Sequence, residues 1–343
     1  MIHNRPLLAR TSRQTLIAVA CCLTACVAGD NESAFNPTGP QADRISTLWW
    51  FMLAVATAVW IIVMVFLVFS VTRGRHRTEA LAEPAGDAPM RRAVTIGAGI
   101  TVLILTIFLV SDITTGHALG ALPRKNALRV EVKGHQWWWE VNYVDPVAGR
   151  RVTTANEIHI PVGEPVQIIG TSPDVIHSFW IPNLQGKKDL IPGHVTSTWL
   201  RADKPGIYRG QCAEFCGAQH AKMIALVIAE PRVKFDAWYN AQLASPPPPS
   251  DSVTARGQQV FLKSSCAVCH TVSGTLAGGR IGPTLSHIGS RMTLASGWLS
   301  NTRGNLGGWI VDPQGIKPGV KMPPNNIDPA DLQALITYLE SLK

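Results

Sequence analysis

The sequence predicts a multidomain membrane protein: a two-helix transmembrane hairpin, an all-β sandwich or Greek-key barrel and an all-α C-terminal domain. Three observations lead to this reading. Two long apolar runs flank a short arginine-rich segment. Residues 128–230 then carry β-branched and aromatic runs separated by Gly, Pro and Asp. Beyond a polyproline stretch, "SPPPPS" at 245–250, the pattern becomes helical and loop-rich.

The N-terminus reads as an export signal over residues 1–25. Arg5, Arg10 and Arg13 precede a short apolar stretch, "TLIAVACCLTAC", whose last four residues resemble a lipoprotein signal cleaved before Cys26, with lipid added to the Cys26 thiol. Residues 26–112 hold the N-terminal segment and the hairpin, with helices at about 47–71 and 93–112. The first apolar run, Leu48 to Val71, has no charge and starts at Trp49 and Trp50, side chains that favour a membrane interface. The second runs from Ala93 to Val110. Between them Arg73, Arg75, Arg77, Arg91 and Arg92 mark a cytoplasmic loop, which puts the mature N-terminus and everything after Asp112 on the outer face of a bacterial inner membrane. The formal charge of +8 has this origin in part. There is no basic stripe interleaved with aromatics, so membrane lipid is an expected partner and nucleic acid is not.

Residues 113–231 form the β domain, through "LRVEVKGHQWWWEVNY", "EIHIPVGEPVQIIGTS", "TSTWLRADKPGIYRGQC" and "MIALVIAEP". A Pro-rich linker is expected over 232–250, followed by the helical domain over 251–343. Its last helix has Asp328 to cap it, Pro329 in the first turn, and Leu332, Leu335, Ile336 and Leu339 along one face.

Two motifs carry chemistry. "CAVCH", Cys266 to His270, is the attachment signature of a c-type haem: Cys266 and Cys269 form the thioethers and His270 becomes the proximal iron ligand. Zinc would want a second ligand pair nearby, and none follows. Met322, in "KPGVKMPPN" shortly before the last helix, is the expected sixth ligand, which makes this domain an electron carrier rather than a catalyst. Met292 is the alternative and reads as a packing residue. "IGPTL" at 281–285 resembles the turn whose proline backs the proximal histidine in small cytochromes c.

The second motif is "GQCAEFCGAQHAKM", residues 210–223. Cys212, Cys216 and His220 are four apart, so a helix would present them on one face, as in a zinc site. The flanking β-like runs and Gly217 favour a loop between two strands instead. Thiolate, imidazole and thioether together are a copper set, with Met223 the thioether. Two cysteines can bridge two metals, and two metals call for a second imidazole. His177, in "SPDVIHSFWIPNL", supplies it after a strand. His159 sits in "EIHIPV" and is expected to face solvent, while His135 and His194 lack a strand-end position. Disulfides are the weaker reading for both cysteine pairs.

The pattern C-x-E-x-C-x-x-x-H-x-x-M, with the upstream "DVIHSFWIP", resembles the binuclear copper A centre of the cytochrome c oxidase subunit II family. The likeness extends to the hairpin, "GHQWWWEVNY", "LQGKKDLIPG" and a fused cytochrome c, as in caa-type oxidases. It implies a cupredoxin-like barrel in which His177, Cys212, Cys216, His220 and Met223 are copper ligands. Glu214 would give its carbonyl to copper and turn its side chain to a magnesium site shared with subunit I. Trp137 would be the residue through which electrons reach copper; Trp138 and Trp139 are as well explained by packing. The implied partners are subunits I and III and a cytochrome c-type donor or an upstream respiratory complex. The implied function is to pass electrons from donor to haem c to copper A to subunit I, for oxygen reduction to water coupled to proton translocation; the oxygen-reducing site lies in another subunit.

Two departures from the family pattern stand out. Trp138 replaces a common Tyr, which changes little. Met90, Arg91 and Arg92 occupy a region where an acidic residue often marks a proton-channel mouth, so no proton-uptake role is carried over. The rival readings are a copper A nitric oxide reductase subunit, a nitrous oxide reductase, which would need a histidine-rich second copper domain and no hairpin, and a quinol-oxidase second subunit, which would lack the cysteine pair.

Overall fold

The computed structural model describes residues 32–74, 87–120, 127–145, 147 and 150–343. The expected signal and Cys26 lie outside the described residues, as does most of the arginine loop. Helix α1 (Pro40–Gly74) and helix α2 (Asp87–Gly120) are both long and apolar enough to cross a membrane. Their side chains are almost all exposed, as lipid-facing surfaces must be. Phe51 and Phe108 meet edge to face between them at 5.8 Å.

Both helices outrun the expected bounds. At about 1.5 Å per residue each is roughly 50 Å long, well beyond an apolar bilayer core of about 30 Å. The surplus seats the β domain. Thr38 N donates to Asn183 O (2.8 Å), Asp203 N to Thr38 O (2.8 Å), and Trp199 Nε1 to Leu119 O (2.9 Å). The residues leading into α1 and the end of α2 are thus tied directly to the β domain.

That domain has ten strands: β1 (Leu128–His135), β2 (Trp138–Val144), β3 (Arg151–Ala155), β4 (Glu157–Pro161), β5 (Val166–Thr171), β6 (His177–Trp180), β7 (Lys188–Leu190), β8 (Thr196–Leu200), β9 (Gly206–Cys212) and β10 (Ile224–Glu230). They form two five-stranded sheets, ordered β3-β2-β1-β5-β8 and β4-β10-β9-β6-β7. The pairs β1/β5 and β4/β10 are parallel and the rest antiparallel, so the chain crosses between sheets as in a Greek key. Val130, Val132, Trp139 and Val141 from one sheet meet Ile158, Phe179, Leu190 and Val227 from the other in one buried core.

The expected linker begins with a helix instead. Helix α3 (Arg232–Leu243) packs Phe235, Trp238 and Tyr239 against Tyr143. Aromatic pairs of this kind each add about 0.5–1.5 kcal/mol beyond their buried area. This helix corrects the reading of His159. The ring does not face solvent: it stacks on Trp238 at 4.0 Å, and Nδ1 lies 2.9 Å from Glu230 Oε1. His135, too, ends strand β1, contrary to expectation, but its ring stacks on Trp138 and its Nε2 lies 3.1 Å from Glu140 Oε2.

The C-terminal domain holds α4 (Ser252–Lys263), the single turn α5 (Cys266–Cys269), α6 (Arg303–Val311), α7 (Pro313–Ile316) and α8 (Pro329–Ser341). A two-residue strand pair, β11 (Thr293–Leu294) and β12 (Leu299–Ser300), is its departure from an all-α pattern. Asp251 caps α4 by accepting from Val253 N and Thr254 N, and Asp328 caps α8 by accepting from Ala330 N. Leu335, Ile336 and Leu339 are buried as the periodicity required, and Leu332 packs at the edge. Helices α4 and α8 cross at Gly257, where a Cβ would lie only 2.1 Å from Ala334 O. No larger residue permits that approach.

Candidate metal and haem centres

The cysteine loop joins β9 to β10, so the helical zinc arrangement does not form; only His220–Lys222 make a single 3₁₀ turn. Cys212 N donates to Met223 O (2.9 Å), closing the base of the loop. Strand β6 brings in the distant histidine: Phe179 pairs with Cys212 across β6/β9, and Ala213 N donates to Ser178 O (2.9 Å). His177, two residues from Phe179, therefore lies beside Cys212.

One ligand atom each of His177, Cys212 and Cys216 falls within a 4.8 Å group. Cys212 Sγ is 3.8 Å from His177 Nδ1 and 3.2 Å from Glu214 O. Cys216 Sγ is 3.7 Å from His220 Nδ1 and 3.9 Å from Met223 Sδ. Each sulfur thus has its own imidazole and its own weaker donor. Cys212, Cys216, Met223 and His177 are buried. The two thiols are free rather than joined.

The electrostatics suit a cation. The Cys212 thiol is drawn well down, first by the hydrogen bond from Cys216 and then, against the cost of burial, by His177. The Cys216 thiol is pushed up by that same contact and by burial. One proton leaves readily and the second is held, because two adjacent thiolates repel. A positive ion between them lets both ionise. Two sulfurs, two imidazoles, a thioether and a carbonyl therefore fit a pair of soft metal ions such as copper.

Asp174 sets the histidine. A carboxylate only accepts, so His177 Nε2 donates to Asp174 Oδ1 (2.9 Å) and Nδ1 is left facing the sulfur. Asp174→Asn is expected to weaken copper retention about tenfold or more, measured by competition with a chelator. Unchanged retention would mean that the ring needs no such support.

The haem motif lies in the C-terminal domain. Cys266 and Cys269 flank the turn α5, and His270 follows in extended backbone. His270 Nδ1 donates to Pro283 O (2.7 Å), which leaves Nε2 for a metal. Burial pushes the His270 pKa down, so the ring stays neutral. The cavity beside it is lined by Cys266, Cys269, Pro283, Trp309 and Met322, and an adjoining one that shares His270 and Met322 adds Phe261, Leu306 and Leu335. Met322 is among the lining residues of both, whereas Met292 is 46% exposed and lines neither. Buried Arg291 also borders this space; its Nη2 donates to Thr284 O (2.6 Å), and its Nε has no partner among the described residues. An apolar slot with paired thiols, a neutral imidazole, a thioether and an arginine with one unpartnered N–H fits a haem with anionic edges.

Trp137 stands between the two centres. It lies in the turn from β1 to β2, and its Nε1 donates to Cys216 O (2.9 Å), which also accepts from Gln136 Nε2 (2.8 Å). Its ring lines the haem cavity. The indole passes so close to Gly217 that a Cβ there would come within 3.0 Å of it.

A family profile described as "Cytochrome C oxidase subunit II, periplasmic domain" matches residues 144–230, and a cytochrome c profile matches 254–343. Cytochrome c oxidase subunit 2 of Alkalihalophilus pseudofirmus is 35% identical over 332 residues, 94% of each chain. The chain belongs to the cytochrome c oxidase subunit II family. The protein of the same description from Bacillus sp. (strain PS3) is 36% identical over 253 residues, 70% of this chain and 68% of that one. A solved structure of the periplasmic domain of subunit II of cytochrome oxidase of Bradyrhizobium japonicum is 30% identical, covering 35% of this chain and 95% of that chain with a TM-score of 0.33.

As a subunit II protein the chain serves electron transfer to a haem–copper oxidase, an oxidoreductase complex in which subunit I is its partner. It is a membrane protein with a periplasmic domain. Its two matched domains imply copper A and haem c. His177, Cys212, Glu214, Cys216, His220 and Met223 lie together at the cysteine loop, and Cys266, Cys269, His270 and Met322 line the cavity of the C-terminal domain, whereas Met292 and the competing histidines His135 and His159 lie elsewhere. Sequence reasoning missed Asp174, Gln136 and Lys317. An acid three residues before a candidate histidine was a usable signal for Asp174; nothing local marks the other two.

Proposed function

We propose that this subunit takes electrons from a cytochrome c-type donor or an upstream respiratory complex and passes them through haem c and copper A to subunit I. Oxygen is reduced to water there, with proton translocation. Cys266, Cys269, His270 and Met322 hold the haem. His177, Cys212, the Glu214 carbonyl, Cys216, His220 and Met223 hold the copper pair. Bound there, these groups supply one-electron relay between donor and subunit I. The observation that carries this reading is Trp137: one side chain is hydrogen-bonded to the carbonyl of Cys216 and also lines the haem cavity.

The chain's own part is to hold these groups rigidly and dry. Both ends of the copper loop are tied to strands, and the thiols are buried, so little has to rearrange as charge comes and goes. The Glu214 carboxylate is 44% exposed, with Lys187 Nζ at 3.9 Å, and in this reading it faces subunit I and a shared magnesium. The assembly sits in the bacterial inner membrane with both redox domains periplasmic, subunit III alongside, and Cys26 lipid-anchored. The test is gas consumption by the purified complex under a reduced donor. Oxygen uptake is expected without nitric oxide uptake, and the reverse would assign the chain to a nitric oxide reductase.

A further inference from the structure

Lys317 is the most unusual side chain between the two domains. It is 1% exposed, yet it carries an ammonium. Its Nζ donates to three carbonyls from three separate stretches: Lys222 O (2.8 Å) in the copper loop, Ala295 O (3.0 Å) in the haem domain, and Trp137 O (3.3 Å) in the β1–β2 turn. An ammonium has three donors, and all are used. A residue kept for packing alone would be Leu or Met, which pay no desolvation cost.

The same short segment grips the copper loop on either side of Lys317. Lys222 Nζ donates to Ile316 O (2.9 Å), and Gln219 Nε2 donates to Pro318 O (2.6 Å). Five residues further on lies Met322, in the haem cavity. Lys321 also reaches Asp174, the partner of His177, at 3.9 Å. One stretch of chain therefore touches the surroundings of both centres.

We propose that Lys317 is the positioning residue that latches the haem domain onto the copper loop and so sets the haem-to-copper separation for electron transfer. The inference rests on the route proposed above. Without Lys317 three carbonyls lose their donor, and docking is left to Lys222 and Gln219 on 316–318, Glu157 on Thr293 and Ile224 on Ser296, with the chain through 245–250 as the covalent tether. The haem domain then spends part of its time undocked.

The test uses the full chain in the assembled complex and compares wild type, Lys317→Met and Lys317→Arg. Three readouts are taken: flash-induced haem-to-copper electron transfer, haem reduction by ascorbate with a small mediator, and hydrogen exchange at residues 217–222 and 316–320. Lys317→Met should slow transfer at least about tenfold, make it biphasic, and raise exchange in both segments, while reduction by the mediator is unchanged. Lys317→Arg, which keeps the donors, should recover part of the rate. Transfer within about twofold of wild type, with unchanged exchange, overturns the latch. If Lys317→Met loses either metal spectrum, Lys317→Arg and Gln219→Ala carry the test: slower transfer with raised exchange supports the latch, and neither change overturns it. Absence of fast transfer in the wild type would refute the proposed route instead, and the exchange readout would still decide the latch.

Discussion

Replacing Cys216 by serine is expected to abolish copper A absorbance and reduce copper content while the c-type haem spectrum stays intact. Cys216 Sγ lies 3.7 Å from His220 Nδ1 and 3.9 Å from Met223 Sδ, so its loss removes the donor common to that half of the site. A serine hydroxyl does not ionise in this range and is a harder ligand, so it cannot stand in as a bridge between two soft ions. Mutation of an outer-shell partner costs about 10–100-fold, so losing this sulfur should reduce donor-driven oxygen uptake by more than about 100-fold. The haem domain has its own core, centred on Phe261, Leu335 and Tyr338, and the substitution does not touch it. Donor oxidation at the normal rate in this variant would sink the copper assignment.

Met322→Leu is expected to leave the haem covalently attached but without its sixth ligand. On the proposed assignment, attachment depends on Cys266 and Cys269 and proximal ligation on His270, whose Nδ1 is held by Pro283 O, and the change touches none of them. Leucine fills much the same volume in the cavity, so the fold should survive. A methionine axial ligand raises the potential, and its loss lowers it. Each fall of ~60 mV makes loading the haem with one electron about tenfold less favourable, so turnover should drop at least about tenfold while copper absorbance is unchanged. Redox titration and the low-spin haem spectrum report the result. Met292→Leu is the control, since Met292 is 46% exposed and outside the cavity lining. A changed spectrum in Met292→Leu with a normal one in Met322→Leu would reverse the assignment.

The family and its two redox domains were legible where the chemistry is compact. "CAVCH" and the cysteine loop each place most of their ligands within fourteen residues, so spacing alone constrains them. The membrane helices were legible because long uncharged runs have few other uses, and the capped last helix because period and cap agree. What failed were surfaces. The linker was read from its prolines, and the helix before them was missed because its stabilising contacts, Phe235 and Trp238 on Tyr143, lie about ninety residues away in sequence. His159 was misread for the same reason, since the ring that covers it belongs to that helix.

Local sequence determined which atoms are available to bind metal and haem, because thiol, thioether and imidazole donors are properties of single residues at short spacings. Only the tertiary structure decided how those atoms face one another. Pairing of β6 with β9 brings His177 to Cys212, Asp174 selects its free nitrogen, and Trp137 and Lys317 bind the two centres into one interface. These are contacts between residues dozens of positions or more apart, or choices of orientation set by a neighbour's hydrogen bond. Their geometry follows from sheet register and domain docking, which no local pattern encodes.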